Sequence, residues 1–208
     1  MPRTGRRGGP QTRARISQVA TQLFLERGFD AVTVAEVARE AGVSSVTVFN
    51  HFPRKEDLLL DRTDDAVDLL RSAVRDRGPG VDVLASLRRA TVRLVDDRHA
   101  LSGLAEGVVP FFRTVAASPA LVARAREIAA DLERILADEL DRDSRFDGDP
   151  ALLAAFFIAG YTAVLVETAR RQLADEPADA IAEGHRARLE QLFAALRHGV
   201  LPGAQPSA

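Results

Sequence analysis

The chain has 208 residues, 46% apolar and 28% charged, enough for one large or two modest domains with a full core. It has no cysteine, which excludes a disulfide framework, a thiolate nucleophile and a cysteine-based metal site. The net charge of −2 hides an asymmetry: residues 1–55 hold nine Arg or Lys against four acids, so a head of +5 precedes a body of −7. A nucleic-acid-binding unit joined to one that is not would show this split.

Residues 1–11 are rich in Gly, Pro and Arg and read as a flexible basic arm. Arg3, Arg6 and Arg7, with Arg13 and Arg15 behind them, suit a DNA backbone or minor groove, or equally a tail without fixed contacts. No apolar run of signal-peptide type comes after them. A first helix is expected from Thr12 to Arg27 on the stripe Ile16, Val19, Ala20, Leu23 and Phe24, stopped by Gly28. At 33–55 the sequence TVAEVAREAGVSSVTVFNHFPRK reads as a helix, a tight turn and a second short helix. Thr33 and Glu36 have capping-box spacing, and Val37, Ala38 and Ala41 form a small apolar face. Gly42 stands where the chain must leave the helix, a place that suits positive φ, and Ser44 or Ser45 can cap the second helix. In that second helix Ser45, Val46, Thr47, Asn50 and His51 face outward, with Val48 and Phe52 inward. Together these form a helix-turn-helix, the layout that presents side chains to a DNA major groove.

The residues Thr33, Val37-Ala38, Ala41-Gly42-Val43-Ser44, Thr47, Phe49, His51-Phe52, Lys55-Glu56 and Leu58 resemble the DNA-binding domain of TetR-family transcriptional regulators, directly over about a quarter of the chain. The resemblance implies a homodimeric repressor with a ligand-sensing helical domain behind the head. It implies that Ser45, Val46 and Asn50 enter the major groove, where Asn suits adenine and Val a thymine methyl. Thr47, His51 and Lys55 match positions at which the family grips phosphates, and Thr33, Ser44 and Phe49 complete the expected DNA-binding set. Two positions depart from the pattern. Phe49 stands where Tyr is usual and lacks its hydroxyl, and Arg54 stands where a small capping residue is common. In a dimer the two recognition helices would lie about 34–36 Å apart on a roughly palindromic operator.

Beyond Pro53 a fourth helix is expected from near Arg54 through Leu58, Leu59, Leu69, Leu70 and Val74 to the break at Gly78-Pro79-Gly80. Asp82 opens another to about Asp97, and a further one runs from about Ala100 to Val115. Ser118-Pro119 and Asp149-Pro150 are cap-plus-proline starts of helices to about Arg142 and Leu173. A last helix covers about Ala178 to Arg197, and no period-2 run suggests a strand. The expected fold class is all-α. A three-helix head at 12–55 precedes a six-helix ligand-sensing and dimerisation domain at 56–202, with a flexible tail at 203–208. The longest apolar run, Ala151 to Val166, is shorter than the roughly 20 residues of a membrane span and reads as a buried helix. The chain is therefore expected to be soluble and cytoplasmic. That helix is apolar all round, one side for the body's core and the other for a second subunit. By the resemblance its Phe156 and Val164, with Leu189, Leu192, Phe193 and Leu196 of the last helix, build a dimer interface; one thick monomer core is the alternative.

An apolar effector pocket is expected from His99, Leu104, Val108, Phe111, Phe112, Phe157 and Tyr161, although each residue also suits an ordinary core. No HExxH, GxSxG or Walker pattern occurs. Asp96, Asp97 and His99 read as a solvated helix end rather than a metal site. Neither enzyme activity nor a cofactor is expected. The expected partners are double-stranded DNA, a second copy of the chain and a small-molecule effector, with no membrane. The competing function is a helical regulator that acts by protein contact with its DNA binding lost, a reading only Phe49 and Arg54 favour.

Overall fold

Four helices begin at side chains that accept a hydrogen bond from the turn they open: Thr33, Ser44, Asp82 and Asp149. Each relieves one of the N–H groups that a helix start leaves without an internal partner. The computed structural model describes residues 9–198; Arg3, Arg6, Arg7 and the expected tail at 203–208 lie outside the described residues. Among these there are nine α-helices and no strand. They are α1 (Gly9–Arg27), α2 (Val34–Glu40), α3 (Ser45–His51), α4 (Thr63–Arg75), α5 (Val83–Asp96), α6 (Val108–Ala117), α7 (Pro119–Asp141), α8 (Pro150–Leu173) and α9 (Ala178–His198). Short 3-10 turns occur at Glu56–Leu58 and Ala100–Ser102.

Three element boundaries differ from the sequence reading. α1 already covers Gly9 to Gln11, ahead of the expected Thr12, and accommodates Pro10, which has no N–H to lose. α4 starts at Thr63 and not near Arg54. There the Asp57 carboxylate takes the Arg54 N–H at 3.2 Å, and i→i+3 bonds close the 3-10 turn, so local bonding displaces the α-helix. The helix expected from Ala100 shrinks to one turn. His99 Nδ1 accepts the Leu101 N–H, and Gly103 and Gly107, both at φ +70°, hold the chain out of helix until Val108.

The chain divides into two compact units: residues up to Asp61 together with Pro110–Ala125, and Arg62–Val109 together with the residues from Arg126 onward. The sequence reading draws its line after residue 55 and leaves 110–125 to the body. The first unit's core joins Ile16, Ala20 and Phe24 of α1 to Val37 and Ala38, to Val48 and Phe52, to Leu58 and Leu59, and to Leu121 of α7. Phe24, Phe52, Leu58 and Leu121 are fully buried, each contributing about 1.5–3 kcal/mol by leaving water. Asp57 also pairs with Arg124 at 2.8 Å, both largely shielded.

In the second unit Leu70 and Val74 of α4, Leu87 of α5, Leu136 and Leu140 of α7, Phe157 of α8 and Phe193 of α9 share a core. A smaller cluster joins Val95, Leu104, Val164, Ile181 and Leu189. The end of α4 is closed by arginines. Arg145 donates to the carbonyls of Val74 and Arg77, and the buried Arg77 donates to Val74 and Val81 while pairing with Asp143. α8 and α9 cross at Gly160, where a Cβ would lie 2.2 Å from Leu192 Cδ1. The 24 residues of α8 are long and apolar enough to cross a bilayer by composition alone, yet Ala154, Phe157, Ile158, Val164 and Thr168 are buried within the unit, as in a core helix.

Candidate nucleic-acid interface

The helix-turn-helix is built from local bonds. Thr33 Oγ1 accepts the Glu36 N–H at 3.2 Å, while the Thr33 amide and hydroxyl both donate to the Glu36 carboxylate at 2.8 and 2.9 Å. Arg27 adds a guanidinium 2.8 Å from the same carboxylate. This guanidinium, followed by the Thr33 amide and hydroxyl, holds Glu36 down to about 2. Gly42 turns the chain at φ +63°, a left-handed conformation in which a Cβ is penalised. Val43 then returns its N–H to the Ala38 carbonyl. Ser44 Oγ accepts the Thr47 N–H at 3.1 Å and lies 2.9 Å from the Thr47 hydroxyl.

α3 is two-faced as the sequence reading requires. Val48 and Phe52 are 1% exposed, whereas Val46 is 68% and Phe49 49% exposed, with Asn50 exposed beside them. Ser45, Thr47 and His51 are half-buried along the flanks. Thr33 sits at the start of α2 with both of its donors committed to Glu36. Lys55 is not simply an outward charge. Its ammonium donates to the Phe29 carbonyl at 2.7 Å and lies 4.2 Å from the centre of the Phe29 ring, tying the end of the motif to the turn after α1. Of the three donors of this ammonium the Phe29 carbonyl takes one. Arg13 stacks over the Phe52 ring at 4.6 Å, which brings α1 into the same basic surface.

Of the residues expected to line an effector pocket, Leu104, Phe157 and Tyr161 are neighbours in the second unit, while Phe111 and Phe112 belong to the first. Phe111 packs on the first unit's core, with Phe112 edge-on to it at 5.7 Å. Phe157 belongs to the larger core of the second unit, stacking on Tyr161 at 6.1 Å. Leu104 and Tyr161 share the smaller cluster, where the Tyr161 hydroxyl donates to the Leu101 carbonyl and burial raises its pKa. His99 caps the 3-10 turn and Val108 begins α6. None of these lines either of two clefts in the second unit. One, of about 270 Å³, lies between Val74, Arg75, Glu139, Arg142, Asp143 and Arg145. It is charged, not apolar: Arg75 grips Glu139 through two 2.6 Å bonds and holds that carboxyl below its usual range.

The expected dimer residues are not all placed alike in the single chain. Val164, Leu189 and Phe193 are buried within the chain, Leu196 packs on its core and Leu192 fills the space over Gly160. Val164, Leu189 and Phe193 close the unit's own interior, whereas Leu192 and Leu196 are half-buried. Of the expected set Phe156 alone is exposed, at 61%. Leu152 and Val166, absent from the expected set, are exposed on the same side. Their spacing along α8 (152, 156, 166) traces a helical face and is readable in the sequence.

His185 is a further residue that sequence reasoning misses. It is 1% exposed, between Ile181 and Leu189 on the inward stripe of α9. Thr168 Oγ1 lies 2.9 Å from the Val164 carbonyl and 2.8 Å from His185 Nδ1. A carbonyl can only accept, so the hydroxyl hydrogen goes to Val164 and Nδ1–H donates to Thr168. Burial, and secondarily Arg186, depresses the imidazole to about 4.

The comparisons with known proteins agree with this geometry. Residues 16–61 match the family described as bacterial regulatory proteins, tetR family. The chain is 29% identical to the HTH-type transcriptional regulator TcmR of Streptomyces glaucescens over 72% of its own length and 69% of that protein's. It is 28% identical to the HTH-type transcriptional activator FasR of Mycolicibacterium smegmatis over 86% of its own length and 78% of that protein's. Among solved structures it is similar to the TetR-family repressor FadR of Thermus thermophilus in complex with lauroyl-CoA, at 27% identity and TM-score 0.57, covering 94% of this chain and 98% of that one. Residues 16–61 thus form a DNA-binding domain of the tetR type, and the chain as a whole is similar to TetR-family transcriptional regulators.

Proposed function

We propose that the chain is a homodimeric repressor, working in the cytoplasm, that holds a roughly palindromic operator and releases it on binding a small apolar molecule. The observation that carries the DNA reading is the outer face of α3, where Val46, Phe49 and Asn50 project from a helix pinned by Val48 and Phe52. Ser45, Val46 and Asn50 read base edges; Thr47, His51 and Lys55 take phosphates, with Lys55 sharing its ammonium between Phe29 and the backbone. One short recognition helix buries too little surface for tight specific binding, so two heads are needed. The exposed α8 face, Leu152, Phe156 and Val166, supports pairing with a second copy. The effector reading is supported by the similar repressor whose solved complex contains lauroyl-CoA, which makes acyl-CoA thioesters the first class to screen. α4 comes directly after the head in the chain, Thr63 being next to Arg62, so a ligand that favours one setting of α4 over another shifts DNA affinity.

The test is binding of the purified chain to labelled DNA from beside its own gene, over a salt series and against random-sequence competitor. Specific binding resists competitor and weakens along a log–log salt slope of about −0.9 per phosphate neutralised. Binding that random DNA displaces equally well rejects the operator reading. Transcription from the same fragment gives the sign of control, since one relative is named an activator.

A further inference from the structure

We infer that the exposed apolar pair of α3, Val46 and Phe49, reads the 5-methyl group of pyrimidines, so that this regulator distinguishes thymine from uracil and 5-methylcytosine from cytosine in its operator. The inference rests on α3 being the helix that enters the major groove. Positions 46 and 49 are three apart and therefore neighbours on one helical ridge. Among the described residues of the head they are the two large apolar side chains left exposed, at 68% and 49%, while Val48 and Phe52 of the same helix are fully covered. Neither carries a hydrogen-bonding group, so neither can answer the donors and acceptors that purines and cytosine present.

The major-groove edge of duplex DNA offers a side chain of this kind one apolar feature, the C5-methyl of thymine. Phe49 against such a methyl removes apolar surface on both partners from water, and Val46 extends the same patch toward the start of α3. Asn50, one turn on from Val46 and exposed, stands beside them with an amide suited to adenine. The outer face of α3 thus has the chemistry for a step rich in A·T pairs, with the methyl and not the pairing edge as part of the signal. Methylation of cytosine places the same group at the same C5 position. A C·G pair that this face tolerates poorly would become a better partner once methylated.

The experiment begins with selection of bound sequences from a random duplex pool by the full-length protein. In the selected operator each thymine is then replaced singly by deoxyuridine, which deletes the methyl and leaves the protein and the pairing unchanged. Loss of one buried methyl corresponds to about fourfold weaker binding, and about fifteenfold when both half-sites are changed. One or two positions per half-site should show this loss, and Val46→Ala or Phe49→Ala should abolish the discrimination at its own position. At such a position a C·G pair should bind more weakly than T·A, and 5-methylation of that cytosine should recover the share lost with the methyl. Uniform affinity across all deoxyuridine duplexes overturns the inference, as does a methyl effect that survives both alanine variants. Failure of the pool to enrich any sequence removes the operator reading itself, and with it this one; the two failures are distinguishable.

Discussion

The two units differ in how their sequences encode them. In the first, the determinants are short-range: Thr33 with Glu36, Arg39 with Gly42, and Ser44 with Thr47 are each bonded three residues apart. In the second, the helices are long and several are apolar on more than one side, so which side is interior is decided by packing between distant segments. Phe156 and Phe157 of α8 are adjacent in sequence, yet one is 61% exposed and the other is buried. A motif whose bonds lie within a turn is legible in the sequence. A bundle held by packing is read only after it has assembled.

That contrast can be broken or sharpened by experiment. The largest effect should come from Phe52→Ala, which opens a cavity in the small core under α3. Loss of about 3–5 kcal/mol in urea unfolding and loss of DNA binding are expected, and a change below about 1 kcal/mol would show that the head core does not depend on this ring. Next is the pH dependence contributed by His185. Its pKa is depressed from an unfolded value of about 6.5 to about 4, so the unfolded chain binds the proton first. The stability gained by keeping the ring neutral is present in full above about pH 6.5 and is lost as pH falls toward 4, a change of about 3 kcal/mol. His185→Leu should flatten that part of the urea-midpoint profile between pH 4 and 6.5; an unaltered profile would place the titration elsewhere.

Phe156→Asp tests the exposed side of α8. Self-association by sedimentation should weaken at least tenfold, or about 1.4 kcal/mol, with unfolding of the monomer changed by less than about 0.5 kcal/mol. Wild-type self-association in this variant would exclude that face from the dimer. The smallest effect is expected for Ser44→Ala, which removes the cap of α3. A loss of about 1 kcal/mol should be matched by a modest fall in operator affinity, because α3 frays at the end proposed to enter the groove. Affinity lost with no change in stability would instead assign Ser44 a direct DNA contact.

Legibility tracked the range of the interaction. Thr33 and Asp149 could be named as caps, and the cap of α3 narrowed to Ser44 or Ser45, because their acceptors and donors lie within one turn. The start of α4 could not, because Asp57, which takes the Arg54 N–H, is also held by Arg124, 67 residues along the chain. The same reason hid the anchoring of Lys55, whose partner carbonyl lies 26 residues away. His185 sits in plain register with Ile181 and Leu189, but its hydrogen-bonding state depends on Thr168 of another helix.

The sequence by itself determined the helix-turn-helix, its Gly42 turn, the inward Val48 and Phe52 of α3 and the helical character of the segments beyond it, since these depend on periodicity and on bonds within a turn. Only the tertiary structure decided that Val164, Leu189 and Phe193 face inward while Leu152, Phe156 and Val166 do not, and that residues 110–125 pack with the head. The physical reason is that hydrophobic burial has no direction of its own. A helix apolar on every side acquires an inside and an outside only from the segments that pack against it.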